Sequence, residues 1–235
     1  VTTLLPIIGS DEPLIRSYLS YFFHEAVDFK AYEPYLQDNY LKEVFAETKI
    51  TQGVGDPNQW SPLLSAAKYQ ALRERIDLDF TYTSETTYAP DGEVSLEMDV
   101  KNVEKLIVEV YELNAQNFYR TQIQPVSTSI NLDGLVANYE RSFQYSDSPL
   151  RRIRRKFEFP ELKQPGVYVV DFIGNGISSR ALIHKGRLDY LVRTTTAGHL
   201  FQIVDSEKQL VKDSTLWIGG VEYVSNEDGE IVVPF

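Results

Sequence analysis

The chain has no cysteine, one methionine and two tryptophans among its 235 residues. Without cysteine there are no disulfides, thiolate zinc sites, cysteine nucleophiles or thioesters. The histidines number three (His24, His184 and His199) and lie far apart, so no paired-histidine metal spacing such as HExxH occurs. No apolar run reaches the roughly 18 residues of a membrane span. No Asn-X-Ser/Thr sequon is present, and no Gly-X-Ser-X-Gly elbow offers a serine nucleophile. The first residue is not methionine and no basic stretch precedes an apolar one, which reads as a fragment or a mature piece. Positive charge is scarce too: 23 Lys and Arg stand against 34 Asp and Glu, a net charge of -11. That balance opposes bulk attraction to nucleic acid or to an anionic membrane.

What is abundant points to packed β-structure. Hydrophobic residues make up 43% of the chain, enough for a sizeable core, and the 15 Tyr and 12 Phe favour pleated, half-buried surfaces. Residues 1–76 nevertheless carry helical spacing. Ser10-Asp11-Glu12-Pro13 is a start signal, followed by an apolar stripe of Leu14, Ile15, Tyr18, Leu19, Phe22 and Phe23. A second stripe holds Tyr32, Tyr35, Leu36, Tyr40, Leu41, Val44 and Phe45, and a third runs from Ser61-Pro62 to Arg75. Each reads as helix packing.

Near Asp77 the period changes to two. Leu78, Phe80 and Tyr82, then Val94, Leu96, Met98 and Val100, alternate with polar residues, as in antiparallel sheets with one wet face. Further strands are expected at 106–113, 118–123, 129–132, 143–145, 153–159, 167–173 and 179–184. Gly174-Asn175-Gly176 marks a hairpin between the last two. That density of short strands fits a sandwich of immunoglobulin-like size. A shorter series follows Gly186, ending in an expected hairpin of Val221–Val224 and Glu230–Phe235 around Asn226-Glu227-Asp228-Gly229. The fold class is therefore α+β, an N-terminal helical segment followed by mainly antiparallel β-sandwich modules. The expected domains are 1–76 (helical), 77–186 (sandwich) and 187–235 (a shorter or truncated β-module).

Gln164-Pro165-Gly166-Val167-Tyr168-Val169-Val170-Asp171-Phe172 resembles the Pro-Gly-Val-Tyr strand of macroglobulin-like domains of the alpha-2-macroglobulin family. Gly198–Asp205 and Leu216–Pro234 are similar to the opening strand and the Asp-Gly hairpin of such modules. The resemblance covers about 77–235. It implies a scaffold segment of a large surface or secreted protein, placed outside the cell, on its surface or in a periplasm. The family's thioester motif is absent, so no family functional residue carries over.

The sharpest polar feature is Arg151-Arg152-Ile153-Arg154-Arg155-Lys156, five basic residues in six positions of an acidic chain. One reading is a docking site for an anionic partner. The other is cross-strand pairing with acids such as Glu97 and Asp99 or Glu109 and Glu112. Alternation puts Arg152, Arg154 and Lys156 on one face and Arg151 and Arg155 on the other. The glycine-rich stretch at Gly174 lacks the helix N-terminus that a phosphate loop needs, and Asn226–Glu230 lacks calcium-loop spacing. The acids of Glu93–Glu112 read as a solvated strand face rather than a glycosidase pair. The expectation is a non-catalytic structural or interaction segment without metal or cofactor. Its partners would be neighbouring domains of the same large chain or another protein, with an anionic glycan as a further candidate. The alternative is a carbohydrate- or peptide-binding module, for which Trp217 beside an exposed Tyr223 would form a stacking platform.

Overall fold

The computed structural model describes residues 9–235, so the expectation for Val1–Ile8 lies outside the described residues. Helices come first. They are α1 (Glu12–Phe23), α2 (Asp38–Gln52), α3 (Pro57–Trp60), α4 (Ala66–Glu74) and, among the strands, α5 (Ala115–Gln122). The strands are β1 (Asp77–Phe80), β2 (Thr87–Tyr88), β3 (Ser95–Lys101), β4 (Lys105–Leu113), β5 (Tyr139–Gln144), β6 (Arg152–Glu158) and β7 (Gly166–Gly174). They continue with β8 (Ile177–Lys185), β9 (Asp189–Thr195), β10 (Gly198–Val204), β11 (Thr215–Ile218), β12 (Val221–Val224) and β13 (Glu230–Val233). The fold is thus α+β, helices followed by mainly antiparallel sheets, as the change of period at Asp77 indicates.

The chain divides into two compact units. The first holds Val1–Asp79, Asp99–Lys105 and Gln144–Arg155; the second holds Phe80–Met98, Leu106–Phe143 and Lys156–Phe235. In the first unit the buried side of α1, Leu19 and Phe23, meets Leu41, Val44 and Phe45 of α2. Phe23 packs edge-on against Phe45 and Tyr32, and Phe45 against Trp60. Burying one such ring contributes about 2–3 kcal/mol. A second cluster joins Ile50, Leu72 and Leu150. The third helical stripe is broken rather than continuous. Ser61-Pro62-Leu63 forms a tight 3-10 turn, and α4 starts only after Ser65, whose hydroxyl accepts from the Lys68 N–H. Pro62 supplies no amide to a longer helix, and the capping serine marks the true start.

A five-stranded sheet of order β2-β8-β7-β4-β5 lies almost wholly in the second unit, with the short β2 parallel to β8. A three-stranded sheet has the order β1-β3-β6. Within the second unit the two layers meet at Phe172. Its ring lies 5.5 Å from Phe80 of β1 and 5.0 Å from Phe157 of β6. On the other face of β7, Val169 packs with Tyr111 and Leu132. Tyr168 through Phe172 are therefore all buried, which is what a central strand covered on both faces requires. β3 keeps the expected alternation, with Leu96, Met98 and Val100 buried. The β7–β8 hairpin closes through Asn175 and Gly176, with Gly174 paired to Ile177.

Three strand expectations are corrected. Residues 118–123 lie in and just beyond α5, because the Asn114 side chain accepts from the Asn117 N–H and caps a helix there. Residues 129–132 form turns, where the Ile130 N–H bonds to the Ser127 carbonyl and the Asn131 side chain accepts from the Asp133 N–H. The last expected hairpin is split. Asn226 does make the turn, its carbonyl accepting from the Gly229 N–H, but β12 pairs with β11 while β13 pairs with β10. The actual hairpin is β11–β12 through Gly219-Gly220. The remaining sheet, β13-β10-β9, ends at β9.

Candidate functional site

β6 carries the basic run from Arg152 onward, and β3 lies beside it with β1 beyond. The Arg152 Nη2 donates to Asp79 Oδ2 at 2.8 Å and lies 3.5 Å from Asp99, while its Nε is 3.9 Å from the buried Asp77. Arg154 bonds both oxygens of Asp99, at 3.0 and 3.3 Å. Arg152 and Arg154 thus share one carboxylate, as alternate residues on one strand face do. Arg155 points elsewhere, with its guanidinium 3.7 Å from the centre of the Tyr145 ring and ion-paired to Asp147. The Arg151 guanidinium lies against Gly53, where a Cβ would collide with it. Lys156, in the second unit, sits 3.4 Å from Glu158. Both border a cavity of about 430 Å³ whose other charged residues include Asp91, Glu93, Lys163 and Lys185.

Asp99 was an expected partner; Asp79 and Asp147 were not. Arg152 and Asp79 are 73 residues apart and on strands that do not pair, so no spacing rule connects them. Next to this cluster, Asp77 takes both Nε and Nη2 of Arg75 at 2.8 and 3.1 Å. The buried Lys101 donates to the carbonyls of Leu72 and Arg75. Burial pushes the Lys101 pKa down from 10.5 to about 8, partly opposed by Asp77. The chemistry of this region is that of ion pairs and carbonyl capping.

The aromatic platform does not form. In the β11–β12 register Leu216 faces Tyr223 while Trp217 faces Glu222, so Trp217 and Tyr223 occupy opposite faces. Trp217 packs edge-on to Tyr119 at 5.9 Å. Trp60 donates its indole N–H to the Val54 carbonyl and belongs to the helical core. Among the described residues, no helix is long and apolar enough to cross a membrane.

Helices followed by antiparallel sheets that meet across an aromatic core define an immunoglobulin-like domain behind a helical lead. Comparison with known proteins agrees at that level. Residues 106–186 match the family described as the AbpF first immunoglobulin-like domain, and residues 1–76 match the Actin-binding protein F N-terminal domain. Over 228 residues the chain is 39% identical to Actin-binding protein F of Dictyostelium discoideum. That alignment takes in 96% of this chain but 10% of the relative, so the chain spans about a tenth of that protein's length. Among solved structures, native alpha-2-macroglobulin from Escherichia coli spanning domains MG0-NIE-MG1 aligns with a TM-score of 0.45 and 14% identity. The alignment covers 68% of this chain and 57% of that one. The NIE-MG1 portion aligns at 0.43 and 15%, covering 69% and 89%. The immunoglobulin-like expectation stands. The relative's name gives the extracellular expectation no support.

Proposed function

We propose that this chain is a non-enzymatic interaction segment of a modular actin-binding protein and that it works in the cytoplasm, where actin filaments are. The observation that carries the reading is the 39% identity to Actin-binding protein F over nearly the whole chain. In this reading, 1–76 is a helical leading domain, 77–186 an immunoglobulin-like module and 187–235 a further, shorter β-module. The family matches at 1–76 and 106–186 support that division. The finer macroglobulin-like description rests on the resemblance of three stretches, Gln164–Phe172, Gly198–Asp205 and Leu216–Pro234.

The mechanism is steric. Sandwiches hold neighbouring modules at set angles, and exposed side chains and strand edges make the contacts. In the basic run, Arg154 and Lys156 are the members that an anionic protein surface would meet, with side chains 61% and 54% exposed. Arg151, Arg152 and Arg155 serve the fold beneath them. Co-sedimentation of the chain with filamentous actin tests the reading. Saturable pelleting that weakens with added salt is the expected result. A chain that stays in the supernatant at every actin concentration rejects contact by this segment.

A further inference from the structure

β9 is an unusual edge. It is seven residues long and ends the β13-β10-β9 sheet, and no other strand among the described residues pairs with it. Exposed edge strands in soluble proteins are normally blunted by proline, a bulge, a central charge or a covering loop, because an open row of amides and carbonyls templates further pairing. Asp189–Thr195 contains no proline, no glycine and no lysine, and its centre is apolar. Tyr190, Leu191 and Val192 stand 57%, 58% and 52% exposed in succession, so both faces of the strand offer apolar surface. The opposite edge of the same sheet, β13, runs directly into Pro234.

The charges on β9 select an occupant. Asp189, Leu191 and Arg193 share one face, with Tyr190, Val192 and Thr194 on the other. If a second β9 lies antiparallel about a two-fold axis at Leu191, Asp189 falls opposite Arg193 of the other copy, and the reverse pair forms by symmetry. Leu191 meets Leu191, and Tyr190 meets Val192. Across residues 189–193 every opposed pair is then apolar or oppositely charged; Thr194 and Thr195 fall opposite Leu188 and Arg187, and no like charges face each other. Within one chain Asp189 is bonded by Lys208 and Arg193 by Glu230, both at 2.9 Å. These pairs leave the Asp189 and Arg193 side chains 40% and 65% exposed, with room for a second partner each.

We propose that β9 pairs edge to edge with β9 of a second copy of this chain, in the antiparallel register centred on Leu191, making a continuous six-stranded sheet across a two-fold axis. The test is sedimentation equilibrium of the whole chain over a concentration series, for wild type, Asp189→Arg, Arg193→Asp and the double swap. Wild type is expected to show a monomer–dimer equilibrium. Each single swap sets like charges opposite one another twice and weakens the dimer by about tenfold or more. The double swap restores it. Hydrogen exchange on wild type adds a readout that depends on no variant: outward amides of β9 gain protection as concentration rises. A wild-type monomer at all concentrations, or β9 amides whose exchange ignores concentration, overturns the proposal. A double swap as weak as the singles overturns the register.

Discussion

The ammonium of Lys101 donates to the carbonyl oxygen of Leu72 at 2.6 Å, and to that of Arg75 at the same distance. Leu72 and Arg75 sit at the C-terminal end of α4, where helix carbonyls have no amide partner of their own. Asn102, the next residue, donates its side-chain amide to the Glu74 carbonyl. Two adjacent residues at the end of β3 therefore close one helix terminus. Replacing Lys101 with Met keeps the side-chain length and leaves both carbonyls without their donor, at a cost of about 1–3 kcal/mol in chemical denaturation.

The same lysine gives a pH signature. Its pKa is lowered to about 8 in the folded chain from 10.5. The unfolded chain thus holds this proton up to about 10.5, while the folded chain releases it above about 8. Between those values the unfolded state carries the extra proton, so the site raises stability as pH rises. Below 8 both states are protonated and the site adds no slope. Denaturation of wild type and Lys101→Met from pH 7 to pH 10 isolates the effect, since all other groups are common to both. A difference between the two that stays flat across that range would contradict the shift.

Asp171 is buried in the centre of β7, and its cross-strand neighbour Arg180 donates to it through Nε at 2.8 Å. Arg180 also reaches the Ile130 carbonyl at 2.9 Å, tying the 127–135 loop to the sheet. Arg180→Ala leaves a buried carboxylate without its cation and frees that loop. The expected loss is about 3 kcal/mol, with a matching rise in amide exchange around Ile130. Replacing both residues with apolar ones of similar size should recover much of the loss, because the pair's own net contribution is small.

Two glycines separate conformational cost from steric cost. Gly176 has φ +82° in the β7–β8 turn, with open space where a Cβ would be. Gly176→Ala meets only the left-handed backbone penalty, about 1–2 kcal/mol. Gly198 has φ +136° at the start of β10, and a Cβ there would fall on the Val233 carbonyl oxygen. Gly198→Ala must push β13 away and costs about 2 kcal/mol or more, with exchange rising along β10 and β13. Equal losses at the two sites would show that β13 is not held where the register puts it.

What could be read without coordinates follows from how local each signal is. Asn175-Gly176 makes its hairpin by its own backbone preferences, and the alternation of Leu96, Met98 and Val100 needs only one covered face. α5 is not legible because Phe118 and Tyr119 read as strand formers, while the deciding signal is a single capping side chain at Asn114. The end of the chain was misread for another reason. A turn at Asn226 is local, but whether its arms pair depends on which strands lie beside them, and β10 claims β13. The basic run was legible as charge, and Asp99 as a partner. Its link to Asp79 was not, since the two meet only once three strands are ordered as β1-β3-β6.

That order lets the fold role of Arg152 be tested apart from the proposed docking role of the exposed members of the run. Arg152 faces three carboxylates, of Asp77, Asp79 and Asp99, with its side chain 31% exposed. Arg152→Glu sets a fourth negative charge among them and should cost about 2 kcal/mol, less than a fully buried pair because solvent still reaches the site. Added salt should shrink that loss by screening the repulsion. Lys156→Glu, at an exposed position beside Glu158, should change stability by no more than about 0.5 kcal/mol. An Arg152→Glu variant as stable as wild type would mean that the carboxylates do not hold β6 in place. The assignment of Arg152 to the fold would then fail.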